Sequence, residues 1–271
     1  MQIASLKLAR NTKTWVAGFA MTVMLGATAA HADEAQAKNL LKAMSDYLAA
    51  QKAISLAYDT NLEIVTTQQQ KLGLASSGTI KINRPDKIRA TRAGGFANVE
   101  SVFDGKTLTL LDKNANSYTQ VEVPGTIDHL VDELREKYHR PLPASDLLSA
   151  DVYGELMPLV VDVKDLGSGV IRGVECDHLA FRTKEVDWQI WIAQGARPYP
   201  CRYVITSRKV AALPQYTIDV WDWKTGTEVA FDDFSFKAPA DAKKLKLSDL
   251  GDIDELPGVF APKGKAAKVK K

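Results

Sequence analysis

The sequence predicts a β-rich α+β domain of antiparallel strands, and three observations carry that prediction. Two long runs of alternating, β-branched and aromatic segments are separated by short turn-forming breaks. A helical insert of about thirty residues divides the runs, and one amphipathic helix precedes them. The densest run covers 174–224, where 174–182, 186–193, 202–208 and 215–224 read as four successive strands. Side chains of this kind fit a pleated, half-buried surface, and breaks this short fit hairpins.

Taken in order, residues 1–32 have Lys7, Arg10 and Lys13 ahead of an apolar run from 15 to 30, ending in Ala30-His31-Ala32. This is the pattern of a secretory signal peptide cut after Ala32. The sixteen-residue run, diluted by Gly and Ala, falls short of the roughly 20 residues that span a bilayer. Residue 33 is Asp rather than Cys, so no lipoprotein acylation site follows the leader. The mature protein is expected in the periplasm, as a single domain over 33–239 followed by a Lys-rich, disordered tail over 240–271.

Without the leader the formal charge changes from +2 to −1, with 32 basic against 33 acidic residues. Five lysines (Lys263, Lys265, Lys268, Lys270, Lys271) crowd the last nine positions, which leaves about −6 on the body of the chain. No basic face for nucleic acid is evident. The lysine tail reads as a solubilising end, with transient contact to anionic lipid headgroups as its alternative use.

Within the mature chain, Leu40, Leu41, Met44, Tyr47 and Leu48 recur at three- and four-residue intervals and predict a helix over 34–51. Residues 54–65 alternate as a strand, 66–71 form a loop, and 77–83 return. Segments 87–92, 99–103, 106–111 and 117–121 continue the meander, with Gly94-Gly95, Asp104-Gly105 and 112–116 as turns. Ile127, Leu130, Val131, Leu134 and Tyr138 then mark a helix. Pro141, Pro143 and short helical segments at 145–149 and 152–157 complete the insert. Segments 159–163 and 169–171 lead back to the second run, and 231–236 reads as a last short strand.

Alternation assigns faces in the second run. If 183–186 is a four-residue loop, Arg182 pairs with Asp187, so Leu179, Phe181, Trp188, Ile190 and Ile192 share one face. His178, Ala180, Arg182, Asp187, Gln189 and Trp191 share the other. A nearly all-apolar face has to be covered by helices, a second sheet or a ligand.

Several segments resemble a family of predicted periplasmic bacterial proteins of unknown function. They are Leu41-Lys-Ala-Met-Ser-Asp-Tyr-Leu48, Asn83-Arg-Pro-Asp-Lys-Ile88, Phe103-Asp-Gly-Lys-Thr107, Pro124-Gly-Thr-Ile-Asp128, Cys176-Asp-His-Leu-Ala-Phe-Arg182, Val186-Asp-Trp-Gln-Ile-Trp-Ile192 and Tyr203-Val-Ile-Thr206. The resemblance covers nearly all of the mature chain to about residue 239, and that family is similar in fold to the outer-membrane lipoprotein carriers. It implies a Lol-type half-barrel: a strongly curved antiparallel sheet forming an incomplete barrel, its apolar face covered by the N-terminal helix and the central insert. By analogy it also implies handling of a lipid or a lipoprotein acyl chain.

In that frame Phe181, Trp188 and Ile190 would form one wall of an acyl-chain cavity, roofed by Leu130, Leu134, Leu147 and Leu148 from the insert. Plain core packing is the other reading of Trp188. The insert, hinged at Pro141 and Pro143, would act as a lid. The expected partner is a hydrophobic ligand or lipoprotein. The alternative is an envelope sensor or regulator that docks a protein partner and holds no ligand.

An oxidising compartment favours a Cys176–Cys201 disulfide. Regular pairing through Ala193 would hold the two cysteines about 9.6 Å apart, beyond the roughly 7 Å limit for a bridge. The bridge therefore requires the middle strand to stop before Ala193. Asp177 and His178 point to opposite faces, so they form no catalytic pair. His129 and His139 would lie about 280° apart around a helix, which is no metal spacing. No phosphate loop or nucleophile elbow is present, and no catalytic residue, cofactor or metal is expected.

Overall fold

A computed structural model describes residues 26–95, 97–138 and 142–246. The expectations for the leader up to residue 25, for His139, for Pro141 and for the five tail lysines lie outside the described residues. Helix α1 (Gly26–Ala50) leads into six strands: β1 (Ala53–Val65), β2 (Lys71–Asn83), β3 (Lys87–Gly94), β4 (Asn98–Phe103), β5 (Thr107–Asp112) and β6 (Ser117–Glu122). The insert holds α2 (Ile127–Glu136), a 3₁₀ turn (Ser145–Leu148) and α3 (Val152–Leu156). Five strands follow: β7 (Asp162–Ile171), β8 (Val174–Arg182), β9 (Val186–Ala193), β10 (Pro200–Ser207) and β11 (Gln215–Thr225), with a two-residue β12 (Lys243–Lys244) near the end.

All twelve strands form one curved, unclosed sheet in the order β12-β6-β5-β4-β3-β2-β1-β11-β10-β9-β8-β7. Each run is an antiparallel meander, and the two join where β1 pairs with β11. The first and last long strands thus meet mid-sheet, leaving β7 and the short β12 as edges. The β12–β6 contact is parallel. This is the open half-barrel expected from the family resemblance.

The second meander follows alternation closely. Arg182 pairs with Asp187, Phe181 with Trp188 and Leu179 with Ile190. Thr183 closes the turn by accepting from the Glu185 and Val186 amides through Oγ1 (3.2 and 3.0 Å). At the β4–β5 hairpin, Asp104 Oδ1 accepts from the Lys106 and Thr107 amides (2.9 and 2.8 Å). Gly105 supplies the positive φ of 92° that this turn needs.

The convex side is polar and held by ion pairs. Arg182 and Arg202 form two-pronged contacts with Asp187 and Asp219 on neighbouring strands. His178 stacks on Trp191 with ring centroids 3.9 Å apart, and its Nε2 bonds Gln189 Oε1 at 2.9 Å. These are the packing roles of a strand histidine.

The concave side is apolar, and α1 fills half of it. Ala37, Leu41, Met44 and Leu48, spaced by four, three and four residues, are buried on the stripe that packs against β7, β9 and α3. Ser45, on that helix, accepts the Tyr153 amide at 3.0 Å and ties α1 to α3.

Two expectations are corrected here. Residues 231–236 form no strand: Asp232 and Asp233 accept the Phe234 and Ser235 amides (2.7 and 3.0 Å), and Phe234 takes a left-handed φ of 52°. Such local side-chain turns compete with a ladder for the backbone amides. The Cys176–Cys201 bridge is also absent, both thiols being free and buried. β9 runs on to Ala193, which pairs with Cys176, so the middle strand does not stop early. Each thiol turns to a carbonyl two residues back, Cys176 to Val174 and Cys201 to Tyr199. Burial pushes both thiols above the ordinary range, which makes them poor nucleophiles.

Candidate functional site: a helix-roofed cavity

Past the C-terminal end of α1, where Leu48 borders it, the concave face of the first meander bounds a partly open cavity of about 480 Å³. Its floor is built from cross-strand rows set by the register. The deepest row is Ile54–Ile82–Ile88–Phe103–Leu108, one residue from each of β1 to β5. The next row, Leu56–Ile80–Ala90–Ser101–Leu110, carries smaller side chains at β3 and β4. Then come Val220–Tyr58–Gly78–Arg92–Val99 and Ile218–Thr60–Ser76–Gly94. All of these residues except Gly78 line the space. Beyond them the row Tyr216–Leu62–Leu74 lines the space again with large side chains, so the small and polar residues form a band across the middle of the wall.

The hydroxyl groups of the upper rows are mostly satisfied within the wall. Thr60 and Ser76 bond each other at 2.7 Å, and Tyr58 donates to the Thr91 carbonyl at 2.8 Å. Tyr216, on the β11 wall, has its pKa pushed far up by burial and remains a neutral phenol at physiological pH.

Ile127, Leu130, Val131 and Leu134 form one stripe of α2 and face the cavity from above. Thr126 caps that helix, accepting the His129 amide at 3.2 Å. Leu142, Pro143, Ala144, Leu147 and Leu148 extend the roof. The Arg84 guanidinium holds this segment down, donating to the Leu148 and Ser149 carbonyls at 2.8 and 3.3 Å.

The structure separates the seven residues expected at the site. Leu130, Leu134, Leu147 and Leu148 line the cavity. Phe181, Trp188 and Ile190 do not: each is buried in the core beneath α1 and α3. Trp188 stacks on Phe181 at 3.9 Å and meets Tyr203 edge-on at 5.8 Å. The Tyr203 hydroxyl in turn donates to Asp146 Oδ2 at 3.0 Å. The aromatic face is thus already filled by its own side chains and α1, and the open space lies over β1 to β5 with β11 as its far wall.

Sequence reasoning missed this wall, although a signal for it exists. At inward positions the small residues Ser76, Ala90, Gly94 and Ser101 line up across β2 to β4, and small side chains are what leave room. Among the described residues no group of three or more His, Cys, Asp or Glu is placed to hold a metal ion. No helix among them is long and apolar enough to cross a membrane.

Fold and cavity together define an open half-barrel with a helix-roofed, largely apolar interior. The chain belongs to the family described as Predicted periplasmic protein (DUF2092), whose pattern matches residues 37–248, and the protein is periplasmic. No curated protein matches the sequence. Similar solved structures include an uncharacterized conserved protein from Thermus thermophilus, with TM-score 0.46 and 12% identity over 78% of this chain and 99% of that one. LprF from Mycobacterium bovis has TM-score 0.44 and 12% identity over 77% and 98%. A chain of the Pseudomonas aeruginosa MucA/MucB complex has TM-score 0.43 and 13% identity, and the match covers 75% of this chain and 62% of that one.

Proposed function

We propose that the protein is a non-enzymatic periplasmic binding or carrier protein for a lipid, a lipoprotein acyl chain or a similar hydrophobic ligand. The observation that carries this reading is the cavity of about 480 Å³ floored by Ile54, Ile82, Ile88 and Phe103 and roofed by α2. Its volume lies within the roughly 300–1,000 Å³ of small-molecule sites. Burial of the ligand's apolar surface, at about 25 cal/mol per Å², is the driving force, and no covalent step is required. Leu130, Leu134, Leu147 and Leu148 contact the ligand from the roof.

The test uses protein isolated from its own periplasm. Native mass spectrometry is expected to show a bound amphiphile. Ala90→Trp and Leu134→Trp, which place an indole in the cavity from the floor and from the roof, are expected to weaken binding of the fluorescent apolar probe N-phenyl-1-naphthylamine at least tenfold. Absence of a bound lipid, together with unchanged probe affinity in both variants, overturns the reading.

A further inference from the structure

The cavity is closed at one end of the sheet and open at the other. At the closed end the lining residues Ile54, Ile82 and Phe103 are buried, and the Ile127 amide ties α2 to the Pro85 carbonyl at 2.9 Å. At the open end Gly94, Gly95, Leu142 and Pro143 line the space and are exposed. Antiparallel pairing brings the turns at 66–70, 183–185 and 208–214 to this same end. The Arg208 amide donates to the Glu185 carbonyl at 3.0 Å, and the Val161 amide to the Arg182 carbonyl at 2.8 Å, which sets the start of β7 beside these turns. Nine large hydrophobic side chains are exposed among the described residues. Five of them, Leu142, Leu159, Val161, Val210 and Leu213, lie at the open end, each 43–63% exposed. The turn before β11 holds Ala212 and Leu213 at left-handed φ of 65° and 46°, a conformation that Gly or Asn ordinarily fills. It thereby keeps aliphatic side chains outside the fold at a local cost.

Taking the cavity to be a ligand site, as proposed above, we infer that this open end docks on the surface of a lipid bilayer. An apolar ligand then passes between membrane and cavity without crossing water. Clustered exposed apolar residues mark interaction surfaces, and these stand around the opening through which such a ligand has to move. They come from three separate segments, the roof, the start of β7 and the turn before β11, an arrangement suited to a broad apolar medium rather than to one extended peptide. Strand addition at the β7 edge is disfavoured, because a bulge between Asp165 and Ser168 and the charges of Asp162 and Lys164 interrupt that edge. Arg208 and Lys209 are paired with Asp187 and Glu185 at 3.7 and 3.4 Å. Attraction to the membrane therefore rests on apolar area rather than on net charge, and a zwitterionic bilayer suffices.

The experiment is co-flotation of the protein with phosphatidylcholine vesicles. Wild-type protein is expected to float with the vesicles, and raised salt is expected to leave that association in place. A variant combining Leu159→Ser, Val161→Ser, Val210→Ser and Leu213→Ser is expected to reduce flotation about fivefold or more. Each pair, Leu159→Ser with Val161→Ser and Val210→Ser with Leu213→Ser, is expected to give part of that loss. Val170→Ser with Phe231→Ser removes exposed apolar side chains elsewhere and is expected to change nothing. None of these six residues lines the cavity, so N-phenyl-1-naphthylamine binding without vesicles should persist in every variant and shows that it is folded. The inference is overturned if wild-type protein stays off the vesicles, if salt removes it from them, or if the control pair acts as the fourfold variant does. Sedimentation as a dimer that the four serines dissociate, with no flotation, would assign the surface to a second copy and overturn the bilayer. Naphthylamine binding without flotation sinks the docking surface alone; if wild-type protein binds no naphthylamine, the ligand-binding function fails and this inference with it.

Discussion

Tyr58 occupies the space that a side chain at Gly78 would need. A Cβ built there would lie 2.7 Å from Cζ and the hydroxyl oxygen of Tyr58 and 1.9 Å from the Thr91 carbonyl. The tyrosine crosses its neighbouring strand to donate to that same carbonyl at 2.8 Å. β3 backbone, Tyr58 and Gly78 are therefore one packed unit in the wall of the cavity.

It follows that Gly78→Ala forces backbone movement rather than a rotamer change, because one of the atoms met is a main-chain oxygen. Overpacking of this kind costs about 1–3 kcal/mol. The expected readout is a lowered urea midpoint at unchanged m-value. Tyr58→Phe, which removes the hydroxyl and its bond to the Thr91 carbonyl, should cost at least roughly 1 kcal/mol. A Gly78→Ala variant as stable as wild type would show that the strands are not held this tightly.

Arg84 ties the roof to the sheet, and its Nε has no partner of its own among the described residues. Burial lowers its pKa, with Asp128 opposing, so the residue is held at some desolvation cost. Arg84→Ala leaves the Leu148 and Ser149 carbonyls without these donors. Losing two bonds of this type is expected to cost about 2 kcal/mol. The loss should be local: hydrogen exchange is expected to quicken at 145–149 and to stay unchanged in β8 and β9. Uniform quickening across the sheet would contradict the anchoring role.

Local pattern made the hairpins legible but not the way the two meanders join. β8 and β9 follow from alternation and from Thr183 at the turn, because hairpin register depends on residues close in sequence. The pairing of β1 with β11 joins segments some 150 residues apart, and no local property of Thr60 or Ile218 announces it. β2 begins at Lys71 rather than 77 because its early residues, among them Gly73 and Ala75, owe their strand conformation to the ladder with β1. The cavity went to the wrong half for a related reason. Large aromatic residues such as Trp188 and Phe181 are conspicuous in a sequence, yet they fill space, while the cavity follows from the absence of bulk at Ala90, Ser76 and Gly94.

That distinction can be measured. Phe181→Leu and Trp188→Phe reduce volume in the core beneath α1, where Trp188 is 2% exposed. Each is expected to cost about 1–3 kcal/mol of stability. Neither residue lines the cavity, so affinity for N-phenyl-1-naphthylamine should stay within twofold of wild type. Leu134→Ala, on the roof and only partly buried, should reverse the pattern, with a small stability change and a clear loss of affinity. If Trp188→Phe reduced affinity as much as Leu134→Ala, the cavity would extend past β11 to β8 and β9.

Asp146 supplies a pH-dependent test of how the roof is docked. Burial raises its carboxyl pKa, outweighing the hydrogen bonds from its own amide and from the Tyr203 hydroxyl and the attraction of Arg135. A group whose folded pKa lies above its unfolded value, about 3.9 for Asp, favours the folded state below that value. This contribution disappears as pH rises through the folded pKa, so at neutral pH the ionised Asp146 weakens docking of the 3₁₀ turn. Asp146→Asn keeps an oxygen to accept from Tyr203 and removes the charge. The variant is expected to melt higher than wild type at pH 7.5, and the difference should shrink towards zero as pH falls to 4. Comparing the two proteins at each pH cancels the opposing titration of carboxylates such as Asp187 and Asp232, whose pKa values are held low by arginine partners. An Asn variant that melts lower than wild type by the same margin at both pH values would mean that the carboxylate is a net stabiliser of the roof.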